Sequence, residues 1–240
     1  MGYTHYWYRV PKLDKKIFKL AVADCKKICE VLSIPLGDAR GEGEPVFNDD
    51  KVCFNGNVVS KGFRTDEGII PWPTDDAKSF ATMDDPASRE GSWFAESFLN
   101  SRSVNEDEDG SYETFAILQT TKPHEWCRIE AKLIFDFCKT AFRPYDLNVQ
   151  CCLLVFKHHF PKDFFIDSDG KQDQWQEVID FCLIHLGYLD DFNLDADKKA
   201  KEAREKELPA LKKPKPRGTN KVPKRKKFPL LKTDGLDISI

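Results

Sequence analysis

Apolar positions in the first 60 residues follow two different periods, which predict a strand, a helix and a hairpin. The aromatic segment GYTHYWYRV alternates apolar and polar residues and predicts a first strand that ends before Pro11. Residues 13–32 carry apolar side chains at intervals of three and four, which predicts an amphipathic helix. The segment VFNDDKVCFNG predicts a hairpin with its turn at residues 48–50.

The second half of the chain alternates between strand and helix patterns. Residues 112–120 and 132–138 predict two strands, and their order along the chain suggests that they are antiparallel neighbours. The apolar run 147–160 fits a buried helix, although a strand stays open. The segment DFFIDSDG predicts a short strand closed by a turn, and residues 172–187 show one apolar face and predict a helix.

These elements predict an α+β fold with a mostly antiparallel sheet and helices packed on one face, because strands and helices do not alternate regularly. We expect one globular domain over residues 1–190. Residues 191–240 predict a charged linker, beginning with a weak helix, and then an extended Lys/Pro-rich basic tail that cannot bury a core. A short helix is also expected in SWFAESFLN, residues 92–100.

Charge is divided unevenly along the chain. The whole sequence has a formal net charge of −3. Residues 198–227 contain fourteen Lys or Arg and three Glu, a net charge of +11, whereas residues 1–197 carry −13. An acidic body joined to a basic tail predicts an interaction segment.

The tail predicts contacts with a polyanion through phosphate groups, because it mixes Lys and Arg with Pro and has no aromatic side chain to stack on bases. A nuclear-import segment and a solubilising tail are the alternatives. The residues expected to contact nucleic acid or an acidic protein surface are Lys212, Lys213, Lys215, Arg217, Lys221, Lys224, Arg225, Lys226 and Lys227.

Several other classes of protein find no support in the sequence. It has no apolar run long enough to span a membrane and no secretory signal, so we expect an intracellular protein, cytoplasmic or nuclear, or one carried in a virion. The eight cysteines lack the pairs typical of zinc sites and are expected to be reduced core residues. The glycines of GDARGEGEP do not have the spacing of a nucleotide-binding loop. We therefore expect no metal and no cofactor.

Ionisable residues are concentrated in FDFCKTAFRPYD, residues 135–146, where a predicted strand meets the next predicted element. Lys139 and Arg143 are candidates for binding a phosphate or carboxylate, with Tyr145 as a hydrogen-bond donor. Asp136 and His5 are candidates for handling a proton. The alternative is a salt-bridged cluster that stabilises the turn. If Phe135 and Phe137 point into the core, Asp136 and Cys138 lie on the other face of the strand.

Three residues near this segment have two interpretations each. Asp146 is expected to be the N-cap of a helix beginning at Leu147, with a catalytic carboxylate as the alternative. His5 is either a general base or a packed, hydrogen-bonded core residue. Cys138 would form a nucleophilic pair with His5, but no local signature supports that arrangement.

Four segments, MGYTHYW, FNG, FDFCKTxxxPYD and SDGxxxxW, together resemble a family of bacterial and viral proteins, including proteins of phages. The resemblance covers residues 1 to about 188 and leaves the tail outside. It implies a shared fold and no particular activity.

The sequence predicts two functions from different classes. The first is a non-enzymatic assembly or binding protein whose basic tail engages nucleic acid or an acidic partner, as a component of a large viral or nucleoprotein assembly. The alternative is an enzyme, or a protein that binds a small anionic, nucleotide-like ligand, with its site around FDFCKTAFRPYD.

Overall fold

The fold is α+β, and every described pair of strands is antiparallel. The computed structural model describes residues 3–58, 69–70, 81–82, 110–123, 132–141, 143–188 and 191–209. The strands are β1 (Thr4–Arg9), β2 (Leu36–Gly37), β3 (Val46–Phe47), β4 (Lys51–Gly56), β5 (Ile69–Ile70), β6 (Ala81–Thr82), β7 (Phe115–Leu118), β8 (Ile134–Lys139) and β9 (Phe164–Ser168). The helices are α1 (Lys15–Leu32), α2 (Asp146–His159), α3 (Asp173–Leu186) and α4 (Leu194–Glu207).

The first sheet is built from distant parts of the chain in the order β8-β1-β9. The central strand β1 pairs His5 with Cys138 of β8 and with Ser168 of β9. Directly opposed residues of antiparallel strands share a face. This pairing therefore brings three of the segments singled out in the sequence side by side.

The second sheet contains β2, β4 and β3, and β7 pairs with β4. The hairpin of β3 and β4 is confirmed, and the Asn48 side chain accepts hydrogen bonds from the backbone N–H groups of Asp50 and Lys51 at its turn. The expectation that β7 and β8 are neighbours is wrong. Each of them pairs with a strand from the N-terminal part of the chain instead, because non-local burial outweighs proximity in sequence.

Helix α2 lies at the centre of the core. Its residues from Asp146 to Phe156 are all buried. A helix that is buried on all sides has no polar face, which is why its sequence also fitted a strand. Helix α1, by contrast, buries one face and is capped by Asp14, whose carboxylate accepts from the backbone N–H groups of Lys16 and Ile17.

The faces of β8 are the reverse of those expected. Ile134 and Cys138 are buried, whereas Phe135 is half-buried and Phe137 is 41% exposed. The two-residue period correctly groups the side chains that share a face. It does not say which group faces the core, and here the core face of β1 carries Trp7 and Arg9, both buried.

Helix α4 packs against the outer edge of β9. The Asp197 carboxylate accepts a hydrogen bond of 2.6 Å from the backbone N–H of Ile166 and pairs with Lys157 at 2.6 Å. Arg204 adds an ion pair with Asp163 at 2.9 Å. A carboxylate on an edge strand satisfies a backbone donor that another chain would otherwise pair with. The region expected to be a linker from residue 191 therefore contains a helix that is docked on the sheet.

None of the described helices is long and apolar enough to cross a bilayer.

Candidate functional site

His5 links a serine and an aspartate in a buried chain of hydrogen bonds. Its Nε2 atom lies 2.7 Å from the Asp146 Oδ1 atom, and its Nδ1 atom lies 2.9 Å from the Ser168 Oγ atom. The side chains of His5 and Asp146 are fully buried, while Ser168 is half-buried. We call His5, Asp146 and Ser168 the relay.

The direction of the hydrogen bonds in the relay follows from its chemistry. An ionised carboxylate only accepts, so the Nε2–H of His5 donates to Asp146. In the neutral imidazole the Nδ1 atom then carries no proton and accepts from the Ser168 hydroxyl. The Thr140 hydroxyl donates to the same oxygen of Asp146, which helps to hold the carboxylate in place.

The relay depends on three elements that are far apart in sequence. His5 lies on β1, Ser168 ends β9 and Asp146 begins α2. Asp146 is not the N-cap that the sequence predicted: the cap position is Tyr145, and no side chain caps this helix end. The partners of Asp146 on β1 and after β8 take its carboxylate away from the amides of its own helix.

Aromatic side chains and a glycine enclose the relay. The rings of Tyr3 and Trp175 pack edge-on against His5, with centroids 4.9 and 5.2 Å away. The backbone N–H of Gly170 donates to the Ser168 Oγ atom at 2.9 Å. A Cβ atom at Gly170 would collide with the Tyr3 hydroxyl, so a larger residue here would have to displace the Tyr3 side chain.

The residues predicted for proton handling are separated by the fold. His5 belongs to the relay, whereas Asp136 is opposite Trp7, two residue pairs further along the sheet. Burial lowers the pKa of Arg9 to about 10, and the charge of Asp136 opposes that shift. Asp136 therefore acts electrostatically on the Arg9 guanidinium and is not a member of the relay.

The two predicted anion contacts do come together. The Lys139 ammonium lies 5.4 Å and the Arg143 guanidinium 5.8 Å from the centroid of the Tyr112 ring. Tyr112 is 43% exposed, and Lys139 is opposite Thr4, at the same end of the first sheet as the relay. These three side chains form a cationic corner around an exposed aromatic ring.

Tyr145 and Cys138 do not fit the roles considered for them. Tyr145 is buried and its hydroxyl donates to the backbone oxygen of Glu113 at 2.8 Å, so the structure does not support it as a donor to a ligand. The Cys138 thiol donates to the same oxygen at 3.4 Å. Burial raises the pKa of Cys138 well above its ordinary value, which disfavours a nucleophilic thiolate.

The described cysteines are free and buried, most of them between α1, α2 and α3. The Sγ atoms of Cys29 and Cys152 are 3.7 Å apart. Within the described ranges, no group of three or more His, Cys, Asp or Glu residues is arranged to hold a metal ion.

Two predictions lie outside the described residues. They are the helix expected in SWFAESFLN and the nine tail positions from Lys212 to Lys227.

Sequence reasoning missed Ser168 and Thr140 as site residues. Both lie within segments already noted for their resemblance, Ser168 in SDGxxxxW and Thr140 in FDFCKTxxxPYD. The first of these also supplies Gly170 and Trp175, and MGYTHYW supplies His5. The signal was therefore the set of noted segments, because three of the four meet at the relay.

Comparisons with family models, with curated proteins and with solved structures find no match to this chain. The resemblance noted in the sequence accordingly stays a prediction.

Proposed function

We propose that this protein is an enzyme in which His5 and Asp146 activate the Ser168 hydroxyl as a nucleophile toward an ester or amide carbonyl. The observation that carries the proposal is the unbroken hydrogen-bond chain from Ser168 Oγ through His5 to Asp146, at 2.9 and 2.7 Å. A nucleophile bonded to a base, which is itself oriented by a third group, is the arrangement required for acyl transfer.

Each relay residue has a defined task in this reaction. The Ser168 oxygen attacks the carbonyl carbon while its proton moves to the Nδ1 atom of His5. Asp146 stabilises the resulting imidazolium, which then protonates the leaving group as the bond to the carbonyl carbon breaks. Water, deprotonated by His5, then attacks the acyl carbon, and the bond to the Ser168 oxygen breaks as His5 returns the proton to that oxygen. Compared with the familiar serine hydrolase arrangement, the two ring nitrogens exchange roles.

The exposure of each relay residue is consistent with its proposed role in the reaction. A half-buried Ser168 leaves its hydroxyl within reach of a substrate, while His5 and Asp146 stay out of water. A dry environment strengthens the interaction between imidazolium and carboxylate.

Trp175 offers a donor beside the relay. Its side chain is buried, and its Nε1–H has no hydrogen-bond partner within the described part of the chain. A buried donor without a partner is unusual and is suited to stabilising negative charge that develops on a bound group. The cationic corner of Lys139, Arg143 and Tyr112 at the same end of the sheet favours a substrate that carries a carboxylate or phosphate.

The test is covalent labelling of the full chain with a fluorophosphonate probe, followed by mass spectrometry of the modified peptide. Wild-type protein should be labelled on Ser168, and Ser168→Ala should lose the label. Hydrolysis of a panel of activated esters should fall about 10⁶-fold in Ser168→Ala.

Ser33→Ala is the matched control, because it also removes a serine hydroxyl that makes one hydrogen bond, here to the backbone oxygen of Glu30 at 3.0 Å. This variant should be labelled on Ser168 as strongly as the wild type. Equal labelling of Ser168→Ala, or no labelling of a folded wild type by any probe, would overturn the proposal and leave the relay a structural link between β1, β9 and α2.

A second function is favoured by the charge of the tail. We propose that residues 210–240 bind nucleic acid or an acidic protein surface, as expected for a component of a viral or nucleoprotein assembly. What supports this is the +11 charge of residues 198–227, next to a body of −13.

The tail is tested by deleting residues 210–240, which spares helix α4. Retention on DNA cellulose should be lost, and the wild type should elute at a salt concentration that reflects the release of several counterions. Unchanged retention of the deletion variant, or retention insensitive to salt, contradicts a role for the tail.

A further inference from the structure

The outer face of the first sheet carries a row of aromatic side chains on β1 and β8, two of its three strands. The row consists of Tyr6, Tyr8, Phe135 and Phe137, and we call it the aromatic row. The Tyr6 and Phe135 rings stack with centroids 6.0 Å apart, as do Phe135 and Phe137 at 5.9 Å. Tyr8 is tilted against Phe135 at 5.2 Å.

The aromatic row does not belong to the core. Tyr6, Tyr8 and Phe135 are half-buried, and Phe137 is among the most exposed large apolar side chains of the described residues. On the third strand, β9, the corresponding side chain Phe165 is buried and has the Lys157 ammonium 4.5 Å above its ring. The face is thus covered at β9 and accessible at β1 and β8.

A basic group borders the aromatic row on the side of α4. The Lys201 ammonium of α4 lies 3.8 Å from the centroid of the Tyr8 ring. Helix α4 is also where the basic segment of residues 198–227 begins. The packing of α4 therefore joins the chain's basic segment to a surface of exposed rings.

We propose that the aromatic row is a stacking surface for the unpaired bases of a single-stranded nucleic acid. Rings exposed on an antiparallel sheet next to basic groups provide the two contacts that single strands need, stacking for bases and cations for phosphates. This inference is independent of the proposed enzyme, and for its phosphate contacts it rests on the proposed function of the tail.

Carboxylates near the row determine which part of the ligand lies on it. Asp167 is opposite Tyr6 on β9, and the Tyr6 hydroxyl donates to Asp169 at 3.0 Å. These charges, with that of Glu205 near Tyr8, repel phosphate groups, so bases lie on the rings and the phosphates lie away from these carboxylates. A duplex, whose bases are stacked internally, has no group to place on the row.

The experiment measures binding of fluorescent oligo(dT) and of a duplex of equal length to the full chain by anisotropy. Phe137→Ala and Tyr6→Ala should each weaken oligo(dT) binding about tenfold, since stacking of one base contributes on the order of 1–3 kcal/mol. The dependence on salt should not change, because neither side chain contacts phosphate.

Two controls accompany these variants. Tyr6→Phe keeps the ring and should bind like the wild type, which separates stacking from loss of the Asp169 hydrogen bond. Ile184→Ala removes an exposed apolar side chain from α3, 61% exposed and away from the sheet, and should also bind normally.

Full-length protein with Lys224, Arg225, Lys226 and Lys227 changed to Gln distinguishes the two proposals. It should show weaker binding and a reduced dependence on salt. If this variant loses binding while Phe137→Ala and Tyr6→Ala bind oligo(dT) like the wild type, the proposed stacking surface is wrong. The proposed function of the tail is then supported. No binding of any nucleic acid by the wild type overturns the stacking surface, and binding of an acidic protein then still supports the tail.

Conversion of a dimer to a monomer by Phe137→Ala, with oligo(dT) binding unchanged, identifies the occupant as a second copy of the chain and overturns the proposal.

Discussion

At the scale of single residues, His5 has the most demanding environment. Both ring nitrogens are hydrogen-bonded, and two aromatic rings pack edge-on against the imidazole. Such a buried polar network stabilises one arrangement strongly when every member is satisfied, and it is costly when one member is lost. The labelling experiment distinguishes a catalytic role of this network from a purely structural one.

Asp146→Asn is the substitution that best distinguishes an N-cap from a carboxylate that accepts from His5 and Thr140. An N-cap tolerates this substitution, whereas a carboxylate that accepts from His5 and Thr140 does not, because the amide brings N–H donors into a site built for an acceptor. We expect a loss of about 1–3 kcal/mol in the free energy of unfolding, measured with urea. Asp14→Asn, at the true N-cap of α1, should change stability by only a few tenths of a kcal/mol. Equal and small effects at both positions would restore the capping role of Asp146.

At the scale of elements, α2 is distinguished by its burial and its thiols. Cys151 and Cys152 lie on this helix in contact with thiols of α1 and α3. Burial raises the pKa of both thiols well above the ordinary value. The folded protein therefore keeps these protons at a pH where the unfolded chain loses them.

The sign of the resulting pH dependence follows directly. Below about pH 8.5, the pKa of an unfolded cysteine, both states hold the proton and stability does not change. Above it, only the unfolded state ionises, so stability falls as pH rises. In Cys152→Ala the unfolded chain releases about one proton fewer. The free energy of unfolding should therefore fall less steeply between pH 9 and 10, by about 1.4 kcal/mol per pH unit. Val149→Ala removes buried volume from α2 but no titrating group. It should lower the free energy of unfolding at every pH and leave its slope against pH unchanged. A slope identical in Cys152→Ala and the wild type would contradict the prediction.

At the scale of the whole molecule, the packing of α4 sets how much of the chain is needed for a stable fold. Asp197 covers the edge of β9 and neutralises Lys157, whose side chain is only 14% exposed. Removal of α4 would take away the carboxylate that pairs with Lys157 and the acceptor of the Ile166 N–H, together with the packing of α4 on β9.

Two truncated chains test this dependence. A chain ending at residue 209 should unfold at the same urea concentration as the full chain. A chain ending at residue 190 should be less stable by about 3–5 kcal/mol, the usual cost of removing one partner of a buried ion pair. Asp197→Ala in the full chain should reproduce much of that loss. Equal stability of both truncated chains would place the end of the domain at residue 190, as the sequence analysis expected.

The sequence alone was sufficient for properties that depend on neighbours along the chain. The α+β class, the limits of α1 and α3, and the hairpin at Asn48 follow from periodicity, capping and turn chemistry, which act over a few residues. The same periodicity correctly grouped Phe135 with Phe137, and the charge difference between body and tail is a matter of counting. Of the candidate site, His5, Lys139 and Arg143 were found because ionisable residues stand out in apolar segments.

Tertiary structure alone decided which groups face each other. Pairing of β8 with β1, 130 residues apart, turned Phe135 and Phe137 outward and placed Asp136 near Arg9. It also separated Tyr145 from any role as a ligand donor. Ser168 and His5 are 163 residues apart, and the register of β9 on β1 brings them within hydrogen-bond distance. Strand alternation has only two phases, and local sequence does not distinguish between them, because the choice depends on the summed burial of all strands and helices in the core.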